Sequence, residues 1–471
     1  MKKKYKIFTI FAGLIIFFTI GVYFIKQDVD NEWARKIKDN IPFVVKKYLK
    51  KTIFYIPSEL RDYKKLKNKY ESVDGENTEN YLNYIKYRNK FEEGTFKQKQ
   101  VSTKNNIYLI DEYILPFYVD ESLADNNPKG YLELIENYIL IIFGSGKSII
   151  IDKDELTKNN FQYTELKNNI FLQNLFNSEI KWSGIKDIRI DLDKIYISLT
   201  KEISKSCYNT GLFVGDVNTN FLNFKDLKIS NECINSDQTY KSHPSFKAFA
   251  GYQTGGRIQT NKNSIFLTIG DYNRWDKPQD EKSIFGKILM INKNTNNVDI
   301  ISKGHRNQQG LYLINEDLII TTEHGPKGGD EINLLKLNEK KIINYGWPKS
   351  SYGDHYDSVP KSRNINKIAP VKKSHKKYGY EEPIHYFKDS IGISEIIKNN
   401  FSDGNSYFVT SLKNKKIYDI VFDKNFMNPK IRETINIEAR IRDIIYDPNL
   451  HVYYIYTEGV SPKLNVLKKI N

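Results

Sequence analysis

One short pattern recurs along this chain: a strand-like run of Ile, Leu, Val, Tyr and Phe, a polar turn, and often a second run returning. It is found at 139–143 with turn 144–146 and return 148–151, at 195–199 with turn 200–202, and at 265–267 with turn 268–271. It comes again at 318–320 with turn 321–325, at 407–409 with turn 410–413, and at 453–456 with turn 457–459. Short alternating runs bounded by Gly, Asn, Asp and Pro clusters are the signature of half-buried strands. Six such units, each about 60 residues long, predict an all-β, six-bladed β-propeller with loop insertions over residues 101–471. A large β-sandwich is the alternative, but it does not call for six similar units.

The chain before this region has a different texture. Basic residues at 2–4 and 6 precede an uncharged run at 7–25, closed by Lys26. That run is long enough to cross a bilayer as a helix. Residues 1–26 are therefore expected to be an N-terminal transmembrane anchor, of the signal-anchor kind. The basic flank stays in the cytoplasm and the rest of the chain lies outside, single-pass, on the extracytoplasmic (periplasmic) side of the cell membrane. A cleaved signal peptide is the alternative, although no small-x-small cleavage site follows. Residues 27–100 are rich in Glu, Lys, Asn and Tyr, with sparse apolar positions, and read as a charged spacer of short helices or partial disorder.

Lys and Arg number 72 against 57 Asp and Glu, a net charge of +15. The lysines are spread along the chain and no basic-aromatic motif accompanies them, so no nucleic-acid partner is expected. Cys207 and Cys233 are the only two cysteines. They are too few for a zinc site, and an extracytoplasmic location permits a disulfide, with two buried thiols as the alternative.

Polar and turn-forming residues are densest in Gly304-His305-Arg306-Asn307-Gln308-Gln309-Gly310-Leu311 and in Glu323-His324-Gly325-Pro326-Lys327-Gly328-Gly329-Asp330-Glu331-Ile332-Asn333. Loops at strand ends that present Arg, Asn, Gln, Glu, His and Asp together suit a ligand better than a structural turn. If the units are blades, Arg306, His324, Lys413, Arg440 and Arg442 converge near the axis, a cation cluster suited to a polyanion.

These segments, with Asn344-Tyr345-Gly346-Trp347-Pro348, Ser411-Leu412-Lys413 and Arg440-Ile441-Arg442-Asp443, resemble the soluble quinoprotein glucose/sorbosone (aldose sugar) dehydrogenases. So do Gly256-Arg257-Ile258, Thr268-Ile269-Gly270-Asp271 and Gly286-Lys287-Ile288-Leu289. The resemblance covers about residues 180–460. It implies a propeller that binds pyrroloquinoline quinone (PQQ), a tricarboxylate, with Ca²⁺, and oxidises CH–OH groups of a sugar or sugar-like small molecule. On that basis Arg306, Asn307, Gln309, Lys413, Arg440 and Arg442 face the cofactor, while Gly325 and Pro326 offer carbonyls to Ca²⁺. For Arg440 and Arg442 the alternative is pairing with acids along a strand.

The chain departs from the family pattern at three places. The family's catalytic base is a His four residues before the Arg of Gly256-Arg257, where this chain has Gln253. An amide cannot take a proton from a sugar hydroxyl near neutral pH. His243 is the weak alternative, and His305 and His324 already have other places in the motifs. Phe387 stands where many relatives have Trp, and Trp182-Ser183-Gly184-Ile185 lacks a polar amide residue common near the substrate. The expected function is thus a dehydrogenase-like oxidoreductase with its base replaced, or a non-catalytic propeller serving as a ligand-binding or interaction module.

Overall fold

The computed structural model describes residues 94, 96–116, 129–170, 184–235, 251–339, 341–357, 359, 363–459 and 462–470. The expected membrane segment, the spacer up to residue 93, and His243 lie outside the described residues. Among the described residues, no helix is long and apolar enough to cross a membrane.

The strands form six sheets. Blade one runs outward through Gly130–Ile135, Tyr138–Phe143, Ser148–Asp152 and Tyr163–Asn168. Blade two is Gly184–Asp191, Lys194–Ser204, Cys207–Asp216 and Lys225–Leu227, and blade three is Gly255–Thr260, Ser264–Ile269, Lys287–Asn292 and Val298–Lys303. Blade four is Gln308–Asn315, Leu318–Glu323, Asp330–Lys336 and His385–Phe387, and blade five is Ile393–Lys398, Ser406–Ser411, Lys416–Val421 and Lys430–Asn436. Blade six combines the two ends of the propeller: Arg440–Asp447, Val452–Glu458 and Lys463–Ile470, then Ile107–Ile114 and Phe96–Ser102. Each inner strand contacts the inner strand of the next blade, and Arg440–Asp447 contacts Gly130–Ile135, which closes the ring. The β-propeller expectation is borne out. Its first strand, however, begins at Phe96, ahead of the boundary expected at residue 101.

Both faces of every blade are covered by neighbours, so the middle of each second strand is an apolar run, as in Tyr138–Phe143. Six apolar clusters fill the six interfaces between blades. Leu140 and Ile142 meet Ile197 and Phe213, for example, and Phe408 and Ile417 meet Ile444 and Tyr453. Burial of this kind contributes about 1.5–3 kcal/mol for each large apolar side chain. Cys207 and Cys233 are joined in a disulfide, which ties the third strand of blade two to the returning segment Ile234–Asn235.

The inner strands of blades two to six each have a β-bulge at the end where they begin. The register skips Lys186, Gly256-Arg257, Gln309, Ser394-Glu395 and Arg442. A bulge leaves a residue unpaired and re-aims its side chain, and here the re-aimed side chains meet at the axis. In blades three and five the unpaired backbone donors are satisfied by threonines at the ends of the second strands. Thr268 Oγ1 accepts from Gly256 N (3.1 Å) and Arg257 N (2.9 Å), and Thr410 Oγ1 accepts from Glu395 N (2.9 Å). The polar stretches read from sequence as turns at 200–202, 268–269, 321–323 and 457–458 therefore lie within the ends of strands, the first of which continues to Ser204.

The centre is held by Arg257. Its Nη1 lies 2.9 Å from Asp187, 2.9 Å from Glu395 and 3.0 Å from Asp443. Its Nη2 donates to Arg442 O (2.9 Å), its Nε donates to Gln309 O (2.7 Å), and the guanidinium carbon lies 5.3 Å from the Tyr131 ring centre. Removing it would strand three buried carboxylates. Arg257→Met should lower the unfolding free energy by about 3–5 kcal/mol. Urea unfolding checks this, and a loss below about 1 kcal/mol would contradict the assignment of Arg257 as the central tie.

Candidate functional site

Because every blade is an antiparallel meander, inner strands begin and second strands end at one rim. Arg306 and Asn307 immediately precede an inner strand, and Arg440 opens one. His324, Gly325 and Pro326 follow the second strand of blade four, and Lys413 follows that of blade five. Gln253 lies two residues before the inner strand of blade three. Backbone bonds knit these segments together. Tyr272 N donates to Gln253 O (2.9 Å), Asp271 N to Arg306 O (2.8 Å), Gly255 N to Asn307 Oδ1 (3.0 Å) and His324 N to Asn307 O (3.0 Å). Gly270 permits this approach, since a Cβ there would sit 2.0 Å from Gln253 O.

The Arg306 guanidinium donates to His324 O (3.1 Å) and Gly325 O (2.8 Å) and lies 5.4 Å from the Trp347 ring centre. Trp347 Nε1 donates to Asp271 Oδ2 at 2.7 Å. Arg442 donates through Nε to Glu458 Oε1 (2.5 Å) and through Nη1 to Gln309 Oε1 (3.0 Å). Arg440 Nε reaches Glu458 Oε2 at 3.0 Å, yet the Arg440 side chain is 37% exposed. The acid-pairing alternative is thus present for both arginines, with Glu458 as the shared acid. Arg442 and Arg440 hold the Glu458 carboxyl below the usual range despite its burial. Lys413 is exposed, and its ammonium makes no hydrogen bond or ion pair with a described residue.

Burial, followed by the charges of Arg306, Arg442 and Arg440, pushes the His324 imidazole down to about 4 against the pull of Asp330. His324 is therefore neutral at physiological pH. Arg306 is bonded to the His324 carbonyl, and Arg440 and Arg442, two residues apart on one strand, share the acid Glu458. His305 is fully buried, with Nδ1 on Glu323 Oε2 (2.8 Å) and Nε2 on Ser302 Oγ (2.8 Å), so neither nitrogen is free for a substrate. Gln253 has φ 56° and a buried Oε1 without a hydrogen-bond partner among the described residues. Phe387 packs against Tyr418, with ring centres 5.3 Å apart, in the core between blades four and five. Trp182 and Ser183 lie outside the described residues.

For a metal, the Gly325 carbonyl already accepts one bond from Arg306, leaving one lone pair. Gly325 N donates to Asp330 Oδ1 at 3.0 Å, and Asp330 Oδ2 accepts from the amides of Ile391, Gly392 and Ile393, which fixes this loop against blade five. Among the described residues no three His, Cys, Asp or Glu side chains are grouped to hold a metal ion. A cavity of about 10 Å³, room for a single water, lies behind Arg306 and is bounded by Glu323, His324, Glu331, Tyr345 and His375. Sequence reasoning missed Glu458 and the Glu331–His375 pair, because the partners are distant in sequence. The Gly286-Lys287 motif proves to be a loop clasp: Lys287 Nζ donates to the carbonyls of Lys277, Pro278 and Phe285.

Fold and site together define a six-bladed propeller with a cationic, amide-rich axial rim. The sequence model of the Glucose / Sorbosone dehydrogenase family matches residues 179–464, and the chain belongs to that family. It is 28% identical over 239 residues to Aldose sugar dehydrogenase YliI of Escherichia coli, covering 47% of this chain and 61% of that protein. It is 29% identical over 127 residues to Quinoprotein glucose dehydrogenase B of Acinetobacter calcoaceticus, covering 21% of this chain and 26% of that one. This chain thus spans less than two thirds of the length of either curated relative. Its fold is like the crystal structure of the soluble aldose sugar dehydrogenase of Escherichia coli in the apo-form, with TM-score 0.55 and 20% identity over 76% of this chain and 99% of that one. A glucose dehydrogenase crystal structure gives TM-score 0.56 and 21% identity over 73% and 97% of the two chains.

Two buried carboxyls give the protein a pH dependence. Burial, together with the Asp443 charge and against the pull of Arg257, pushes Glu395 up to about 7. Burial likewise pushes Asp271 up to about 7 against the pull of Arg306. Each group binds more protons when folded than when unfolded between its ordinary value and about 7. Their stabilising contribution is complete below about pH 4 and is lost as pH rises to 7. Glu395→Gln should flatten the fall in unfolding free energy between pH 5 and 7, measured by urea titrations at several pH values. An unchanged slope would contradict the raised carboxyl.

Proposed function

We propose that this chain is a sugar oxidoreductase acting on CH–OH groups with PQQ and Ca²⁺, in which Gln253 occupies the position of the family's base. The observation that carries this reading is the one rim on which Arg306 is bonded to the His324 carbonyl, Arg440 and Arg442 share Glu458, and the Asp271-Tyr272 backbone ties Arg306 to Gln253. PQQ would supply the hydride acceptor. A tricarboxylate fits the donor set: Arg440 and Lys413 offer exposed cationic donors, and Arg442 and Arg306 add fixed charge behind them. Asn307 and Gln309, already bonded into the rim, would orient its polar edge. The Gly325 and Pro326 carbonyls would hold Ca²⁺. A dication beside the Arg306 guanidinium is tolerable only with the anionic ligand present, so metal and cofactor should bind together.

Gln253 can hydrogen-bond a sugar hydroxyl and orient it, but it cannot remove the proton. Losing a general base typically costs about 10²–10⁴-fold in rate, so slow turnover follows. His243 is the nearest other candidate in sequence for the missing base. The second reading, a propeller that binds a sugar or related ligand without oxidising it, rests on the same substitution. For location, we propose a membrane anchor at 7–25 with the propeller outside the membrane, a reading that the Cys207–Cys233 disulfide supports.

The test is reconstitution of the full chain with PQQ and Ca²⁺, following the quinone absorbance after aldose is added. We expect slow bleaching, and Gln253→His should accelerate it by about 10²-fold or more. A bound but inert quinone in both proteins would favour the binding module. Fast turnover insensitive to Gln253→Ala would transfer the base role to another group, with His243 the first to substitute.

A further inference from the structure

The long connection between the third and fourth strands of blade four forms a small cap on the functional rim. It enters at Tyr345 and Trp347 and places Ser350 and Ser351 on the cavity behind Arg306. It has a core of its own, made of Trp347, Val359, Ile365, Ala369 and Val371 with Trp275 of blade three. Its outer surface carries Lys349, Lys367, Lys372, Lys376 and Lys377. None of these has a carboxylate partner among the described residues. Lys349 Nζ donates only to the carbonyls of Lys367 (3.1 Å) and Ile368 (2.9 Å). Lys372 N donates to Lys349 O (3.0 Å), so Lys349, Lys367 and Lys372 are direct neighbours, and burial with the charges of Lys367 and Lys372 holds the Lys349 ammonium below the usual lysine range.

The nearby acids do not neutralise this cluster. Asp354 pairs with Lys373 (2.9 Å), and Glu382 is taken by Tyr352 Oη (2.7 Å) and Lys376 N (2.7 Å). Amid the cations lies an exposed aromatic face: Lys372 Nζ is 4.4 Å and Lys377 Nζ 6.0 Å from the Tyr378 ring centre. The ring face attracts these ammonium groups, but they repel one another. They gain from an anion seated among them. A neutral aldose would need none of them.

We propose that this cap binds the carboxylate or phosphate groups of an anionic saccharide, Tyr378 lying under a sugar ring and the lysines pairing with its charges. The placement rests on the reading of this rim as a sugar site. It makes acidic saccharides, rather than neutral ones, the preferred class of ligand.

Binding can be measured on the full chain by calorimetry without cofactor, so the outcome does not depend on turnover. The probes are trigalacturonate for carboxylate, glucose 6-phosphate for phosphate, and maltotriose and glucose as their neutral counterparts, all at about 0.15 M salt. We expect at least one charged probe to bind tenfold or more tighter than its neutral counterpart, and which one does so identifies the anion. Lys367→Glu, Lys372→Glu and Lys377→Glu combined should abolish that preference while the circular dichroism spectrum is unchanged. Tyr378→Ala should weaken the charged probe several-fold and leave its salt dependence in place. Equal affinity for charged and neutral probes overturns the proposal, as does a preference that survives the triple substitution. Vesicles of phosphatidylglycerol that bind in a lysine-dependent way, with no saccharide preference, would also overturn it and make the cap a membrane contact. A charged-sugar preference without oxidation of any sugar in the reconstituted protein would sink the dehydrogenase reading and leave this one standing.

Discussion

The structure depends on one guanidinium. Arg257 belongs to blade three, yet it pairs with carboxylates of blades two, five and six, bonds to backbone carbonyls of blades four and six, and lies against a tyrosine of blade one. The six interfaces between blades are apolar and could in principle slide. A planar fork with fixed donor directions at the axis specifies how the inner strands sit relative to one another. The three carboxylates exceed the single positive charge they share, which is why burial raises Asp187 and Glu395 so far. A lysine could not reproduce this role, because it offers a point charge rather than a fork.

The same backbone device that brings Arg257 to the centre also makes the site. Five inner strands bulge at their first turns, and the bulged residues include Gln309 and Arg442. Structural and ligand-facing groups are thus produced by one irregularity, repeated. Arg442 donates to Gln309 Oε1 while its backbone carbonyl accepts from Arg257. The rim is therefore held by bonds between blades, which suits the proposed recognition of a multiply charged ligand.

Much of this was legible in the sequence, and what was not has physical causes. The second strands are covered on both faces, so they stand out as apolar runs and their number gives the blade count. The strand Phe96–Ser102 reads Phe-Lys-Gln-Lys-Gln-Val-Ser and lies at a sheet edge, where charge is tolerated, so it looked like spacer. The threonines at 200, 268, 321, 322 and 457 looked like turns, although Thr268 for one serves a bulge from within its strand. Bulges depend on the register of two strands and leave no mark in either alone. Arg257 stood out only as part of a motif, because its partners Asp187, Glu395 and Asp443 lie far away in sequence. The cations Arg306, Arg440 and Arg442 were found because their motifs are local.

The retained arginines are weaker testimony to catalysis than they first look. Arg306 holds the carbonyls of the blade-four loop, and Arg442 and Arg440 neutralise the buried Glu458. Each would be kept for the fold even in a chain that oxidises nothing. Lys413 is different. It is exposed at the same rim, and no described acid accounts for its charge. An exposed cation at this rim raises the local potential without being required by the fold. On the proposed reading, its role is toward an anionic ligand. Gln253 bears on the same proposal, since its buried Oε1 has no hydrogen-bond partner among the described residues and would accept from a hydroxyl donor. A ligand carrying both anionic groups and hydroxyls answers both needs at once. On the proposed reading, binding is the property that the rim's own chemistry serves, and the rate of any oxidation there would be set by what can take the proton that Gln253 cannot.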